Sequence, residues 1–183
     1  MGMVAPVYYT AEMVRALPND GNRYEVVHGE LLVTPAPLPW HQEVVARLLE
    51  ALRSYVRSAA RGFHVFASPA DISWTEDTLV QPDVFVVLVA EARTLDWAHI
   101  KDLQLVIEVL SPSSSRADRF TKRRPYQERH VPRYWVVDAQ EQLVEVWTPE
   151  VQFPVVERVR LIWSPSGAGR PFTLELAELF RPI

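Results

Sequence analysis

Two short apolar runs constrain the fold most. Val84 to Val89 is a continuous apolar run rich in β-branched residues, and Leu103 to Leu110 is another, mostly apolar. Runs of this length without polar alternation suit strands covered on both faces, so helices or further strands must pack on either side. The second run contains Glu108, within Leu105-Val106-Ile107-Glu108-Val109-Leu110. A carboxylate in such a setting is costly unless a cation pairs with it. The strand and its acid therefore have to be explained together.

The rest of the chain supplies the cover. Thr10 caps a short helix over Ala11 to Leu17, ended by Pro18-Asn19-Asp20-Gly21. Arg23 to Val33 reads as a hairpin turning at His28-Gly29. The proline-rich run Thr34 to Pro39 leads into a helix from about Trp40 to Ala60, where Val44, Val45, Leu48, Leu49, Leu52, Tyr55 and Val56 share one stripe. Gly62 marks its end. Extended segments follow at His64 to Ala67 and Ala70 to Trp74. Later come a hairpin of Tyr134 to Val137 with Leu143 to Trp147, and further strands at Val155 to Trp163 and Phe172 to Leu176. Strands and helices in this order give an α/β (α+β) fold: a mixed central sheet flanked by helices. With 183 residues and no second linker, residues 1–183 are expected to form one domain.

Composition excludes several functions. There is no cysteine, so disulfides and thiolate metal sites are out. No apolar run approaches the roughly 20 residues of a membrane span. The opening MGMVAPVYYT lacks a basic segment followed by an apolar one, and Pro6 argues against myristoylation. A cytoplasmic protein without membrane attachment is expected. No G-x-S-x-G elbow surrounds Ser111, and Gly167-Ala168-Gly169-Arg170 lacks the Lys-Ser/Thr of a phosphate loop. The other histidines, His28, His64, His99 and His130, have no zinc-ligand spacing.

Charge is uneven. The chain carries a net charge of −4, yet Arg116 to Arg133 gathers seven basic residues against Asp118 and Glu128. Of 19 lysines and arginines only Lys101 and Lys122 are lysines. Arginine stays protonated, whereas a lysine can be tuned. Asp83, Glu108 and Lys122 thus form a candidate constellation: two carboxylates on neighbouring strands suit Mg²⁺ or Mn²⁺, and a lysine beside them can steady a phosphate's charge or handle a water's proton. Each residue alone has a plainer reading. Asp83 can be a strand-edge residue, Glu108 an arginine's partner, Lys122 a solvated side chain, and the basic stretch a helix surface.

The ordered series Pro82-Asp83, Glu108-Val109-Leu110-Ser111-Pro112-Ser113, Asp118-Arg119, Lys122 and Tyr126 resembles the bacterial Uma-type family of restriction-endonuclease-like proteins, within the PD-(D/E)XK nuclease superfamily. Arg23 to Leu31, Pro35 to His41 and Tyr134 to Asp138 extend the likeness over roughly Thr10 to Trp147. The resemblance implies a metal-dependent DNA endonuclease, a hydrolase in which Asp83 and Glu108 bind Mg²⁺ or Mn²⁺. The superfamily's lysine two positions after the glutamate is replaced by Leu110; the family's displaced lysine, on the following helix, corresponds to Lys122. Pro125 interrupts that helix pattern. Glu30 and His41 are accessory candidates, with turn capping and a bond to the local backbone as their alternatives. Arg116, Arg119, Arg123 and Arg124 would contact DNA phosphates, and a homodimer would suit two antiparallel strands. The rival expectation is a non-catalytic nucleic-acid-binding or assembly module that retains the nuclease fold.

Overall fold

The computed structural model describes residues 7–183; the Pro6 position lies outside the described residues. Thr10 caps α1 (Ala11–Arg15) as expected, its hydroxyl accepting the Met13 N–H at 3.2 Å. The first hairpin joins β1 (Arg23–Val27) to β2 (Glu30–Thr34), with Val27 opposite Glu30. His28 and Gly29 have φ of 48° and 80°. Both central residues are therefore left-handed, as in the tightest hairpin turns. A Cβ on Gly29 would also run into the Tyr8 ring.

Next come α2 (Pro39–Ala59), β3 (Phe63–Ala67), β4 (Ile72–Thr75), β5 (Thr78–Val80) and β6 (Val84–Leu88). Pro39 occupies the first turn of α2, where its missing N–H is harmless. The long helix buries the predicted stripe, with Val44, Leu48 and Leu52 fully enclosed. A short α3 (Val89–Ala92) precedes β7 (Leu105–Val109). A π-helical turn over Ala117–Thr121 leads into α4 (Arg123–Glu128). The chain closes through β8 (Tyr134–Asp138), β9 (Leu143–Trp147), β10 (Val155–Glu157), β11 (Arg160–Trp163), β12 (Phe172–Glu175) and α5 (Leu176–Leu179).

The strands form three sheets rather than one. Six make the central sheet in the order β10-β9-β8-β7-β6-β3, antiparallel except for the parallel pair β7–β8. This mixed sheet is the one expected from sequence. A four-stranded sheet, β2-β1-β5-β4, and the β11–β12 hairpin are additional. β5 is three residues long, too short to stand out as a strand, and it joins the first hairpin to the rest by pairing with β1.

Alternation along the central strands divides the core. Val84, Val86, Ile107, Val109, Trp135 and Val137 pack on one face against α2, β12 and α5. Phe85, Val87, Val106, Tyr134 and Val136 pack on the other with Ile72, Val80 and Tyr126. Val84 pairs with Ile107, so Asp83 and Glu108, each one step along, project on the second face. The small sheet and the π-turn close over that face.

Candidate active site

Glu108 is fully buried, as are Glu25 and Lys122 to within 1%. Lys122 Nζ lies 3.1 Å from Glu108 Oε1, 2.8 Å from Glu25 Oε2 and 3.1 Å from Asp118 Oδ1. Only the contact with Glu108 is also directed as a hydrogen bond. Tyr126, on α4, donates its hydroxyl to the same Oε1 at 3.1 Å. Three carboxylate oxygens, Glu25 Oε2, Glu108 Oε2 and Asp118 Oδ1, are buried without a hydrogen bond.

The π-turn makes this convergence possible. The Lys122 N–H bonds to the Ala117 carbonyl at 2.9 Å, five residues back. The extra residue in the turn brings Asp118 and Lys122 together facing Glu108. Pro125, which has no N–H to donate, sits early in α4 and is itself buried. It therefore does not turn Lys122 outward. Lys122 is not a solvated side chain, and Glu108 is paired with a lysine rather than an arginine.

Asp83 is held differently. Oδ1 accepts Arg23 Nη1 at 2.7 Å, while Oδ2 accepts the Val109 N–H at 2.8 Å and lies 3.2 Å from His41 Nε2. Arg23 also donates to the Gln81 carbonyl at 3.2 Å, and the Gln81 N–H donates to Glu25 Oε1 at 2.6 Å. The four-stranded sheet thus ties Asp83 to Glu25. His41 bonds to Asp83 and not to its own backbone; its Nδ1 is buried without a partner.

The electrostatics diverge accordingly. Burial opposes ionisation of Asp83, but the His41 hydrogen bond and the Arg23 charge outweigh it and hold the carboxyl well below its usual range. Burial drives Glu108 well above the usual range, only partly offset by Lys122, and Asp118 is raised for the same reasons. For Lys122 burial alone would favour loss of the proton; Asp118, Glu108 and Glu25 reverse that and raise it well above the ordinary lysine value. The three carboxylates around it thus favour the ammonium form of Lys122, which suits it to charge stabilisation.

Other expected residues are elsewhere or committed. Glu30 is exposed at the start of β2 and stays out of the cluster. The hairpin's contribution is Glu25, which carries the same signal as Glu108: an acid beside apolar strand residues, here Val26 and Val27. Asp118 is the other residue that sequence reasoning left without a role. Arg119 is engaged by Asp138 at 2.8 Å and Glu145 at 2.7 Å, and Arg123 stacks over Trp147 at 4.3 Å. Arg116 and Arg124 remain exposed.

The donor set fits a hard divalent cation. Glu25, Asp83, Glu108 and Asp118 face two permanent cations, Arg23 and Lys122, so carboxyl groups outnumber cations; of the three oxygens without a directed hydrogen bond, Glu25 Oε2 and Asp118 Oδ1 still touch Lys122, and Glu108 Oε2 has neither. Among the described residues no three acid or histidine side chains form a ready-made metal cage. Mg²⁺ needs none, because it keeps several waters and takes one or two carboxylates.

A family model described as "Uma2: Putative restriction endonuclease" matches residues 11–175. Among solved structures, the chain is similar to a putative nuclease belonging to DUF820 from Anabaena variabilis. The two share 22% identity over 94% of this chain and 97% of that one, with a TM-score of 0.77. At that identity the likeness is one of fold. No curated protein matches the sequence. Among the described residues no helix is long and apolar enough to cross a membrane.

Proposed function

Because the chain belongs to the Uma2 restriction-endonuclease family, we propose that it is a Mg²⁺- or Mn²⁺-dependent endonuclease that hydrolyses phosphodiester bonds in DNA. The observation that carries this reading is the surplus of buried carboxylate. Asp83 and Glu108 project from adjacent strands on one face, and Glu108 Oε2 has no partner. Asp83 and Glu108 would hold the ion, which when bound supplies Lewis acidity toward the phosphate.

The chain's own groups do the rest. Arg23, His41 and the Val109 N–H fix both oxygens of Asp83. Lys122 keeps a positive charge beside Glu108, placed to stabilise negative charge as the phosphate is attacked by water and the P–O bond breaks. Tyr126 orients Glu108 through its hydroxyl. Arg116 and Arg124, exposed, would neutralise flanking phosphates.

A second reading has its own support. Lys122 Nζ already stands among three carboxylates, much as a bound cation would. In a non-catalytic nucleic-acid-binding or assembly module the ammonium would be the permanent occupant. The test is a cleavage assay on supercoiled, linear, single-stranded and branched DNA, with Mg²⁺ or Mn²⁺ against chelator. Metal-dependent cutting lost in Asp83→Asn and Lys122→Ala is the expected result. Salt-sensitive binding without cutting, unchanged in Asp83→Asn, would select the second reading instead.

A further inference from the structure

The central sheet ends in two edge strands, β3 and β10, and they are finished differently. β3 is guarded: Arg53 directs Nε and Nη2 at the Val65 carbonyl, each at 3.4 Å. β4, an edge of the four-stranded sheet, is guarded in the same way, with Lys101 on the Ser73 carbonyl at 2.6 Å and Arg129 on the Trp74 carbonyl at 3.3 Å. Charged side chains placed so keep an edge from pairing with another chain. β10 has no such cover among the described residues. Val155 stands opposite Val146, on the face packed against α2, and Val156 stands opposite Glu145 on the other face. They are 60% and 49% exposed, flanked by Phe153 at 81% and Val159 at 71%. Adjacent apolar residues on both faces are the composition of an inner strand, here placed at an edge. β2, the other edge of the small sheet, exposes one large apolar side chain, Val33.

The phase of the hydrogen bonds identifies the free groups. The Val106 and Leu110 N–H groups donate to the Arg133 and Val137 carbonyls, so the odd-numbered residues of β8 face β7. By alternation Val136 faces β9 and pairs with Glu145, which turns Val144 and Val146 toward Glu157 and Val155 of β10. The N–H and C=O of Val156 therefore point out of the sheet, and nothing among the described residues takes them.

We propose that β10 is an interface with a second copy of this chain, the two β10 strands pairing antiparallel about a two-fold axis at Val156. The inference goes beyond the nuclease reading and does not depend on it. An edge that pairs with its own copy closes after two chains, whereas a head-to-tail contact grows. With Val156 on the axis, the two copies exchange both of its backbone bonds. Pro154, the next outward position, has no N–H, but its carbonyl comes opposite the Arg158 N–H of the second copy. The same register brings Phe153 of each copy toward Val159 of the other and sets no two like charges opposite. An axis at Glu157 would oppose two carboxylates. The four exposed apolar side chains offer on the order of 400 Å² per copy, about half of the roughly 800 Å² that each partner buries in a standard interface, before the strand backbone and its polar neighbours contribute.

The experiment is sedimentation equilibrium of the full chain over a range of concentrations, with amide hydrogen exchange on the same samples. Wild type is compared with three variants. Val156→Lys sets two ammonium groups face to face at the axis. Val156→Pro removes an N–H that a single copy does not use. Val33→Lys alters the β2 edge instead. The wild type is expected at twice the mass of one chain, with the Val156 and Arg158 amides protected. Both Val156 variants should associate at least about tenfold more weakly, with the Arg158 amide unprotected and the fold retained in a thermal melt. Val33→Lys should remain dimeric. A wild type that is monomeric at every concentration would overturn the proposal and leave the edge to a strand from a different protein. A dimer that survives both Val156 variants, one lost in Val33→Lys, or one whose Val156 amide exchanges freely would overturn it too.

Discussion

Asp83 and Glu108 leave neighbouring strands of one sheet on the same face, yet their surroundings charge them in opposite ways. Asp83 sits at the strand mouth, with both oxygens satisfied by Arg23, the Val109 N–H and His41. Its negative charge is secure. Glu108 sits deeper, sharing one ammonium with Glu25 and Asp118 and keeping an oxygen without a partner. Its charge is disfavoured by burial. The first is a finished ion pair; the second is an unfinished one, and the unfinished one is where an added cation gains most. Buried carboxylates are thus informative less by their presence than by how completely they are satisfied.

The largest effect should come from removing what the deeper group depends on. Lys122→Met leaves three buried carboxylates without their ammonium and should cost about 3–5 kcal/mol. For a chain of this size that is roughly a 10 °C fall in Tm, measurable by thermal melting without metal. Asp83→Asn is expected next, at about 3 kcal/mol, because Arg23 retains only Glu25 at 3.8 Å and the Gln81 carbonyl. Glu108→Gln should be mildest of the three, within about 1 kcal/mol at neutral pH without metal, since it removes a charge that burial already opposes. A Glu108→Gln loss as large as that of Lys122→Met would erase the contrast between the two acids.

Acid titration sharpens the comparison, and the signs differ. The Asp83 carboxyl is depressed in the folded state, so its stabilisation is present above the ordinary carboxylate range and is lost as pH falls below it. The Glu108 carboxyl is raised, so its contribution is fully present below that range and is lost as pH rises through it toward the folded value. Metal-free melts from about pH 4 to 8 should therefore show Glu108→Gln flattening the decline toward neutral pH. Asp83→Asn should leave that decline intact. The smallest effect belongs to the surface: Arg124→Gln should leave Tm unchanged and lower the salt dependence of DNA binding by about one unit of slope.

Much of this was legible in the residues. The stripe from Val44 to Val56 placed α2 within a residue of its observed start and end. Two apolar runs marked β6 and β7, and His28-Gly29 marked a turn that needs two left-handed residues. Gly62 did not cap α2, which stops at Ala59 with Ala60 already out of helical conformation. The acid inside β7 pointed to a site because its burial had to be compensated. What the chain could not display was depth. Lys122 and Asp118 occupy a basic, helix-like segment that reads as a solvated surface, and only the π-turn carries them into the core. Glu25 was hidden by its hairpin, where Glu30 was the acid singled out; the register puts both on one face, but Glu30, beside the turn, is left exposed while Glu25, further along β1, is buried. The arginines illustrate the converse: Arg119 and Arg123 share the composition of Arg116 and Arg124, but tertiary partners have taken them.

The most direct measurement is isothermal titration of Mn²⁺ into the metal-free protein, wild type beside Glu108→Gln and Asp83→Asn, with melting temperatures to confirm that each is folded. The unfinished carboxylate cluster predicts saturable binding by the wild type, lost in both variants, with protons released on binding as Glu108 is forced to ionise. Binding that is absent from the wild type, or that persists unchanged in Glu108→Gln, would contradict it and leave Lys122 as the cation this cluster was built to hold.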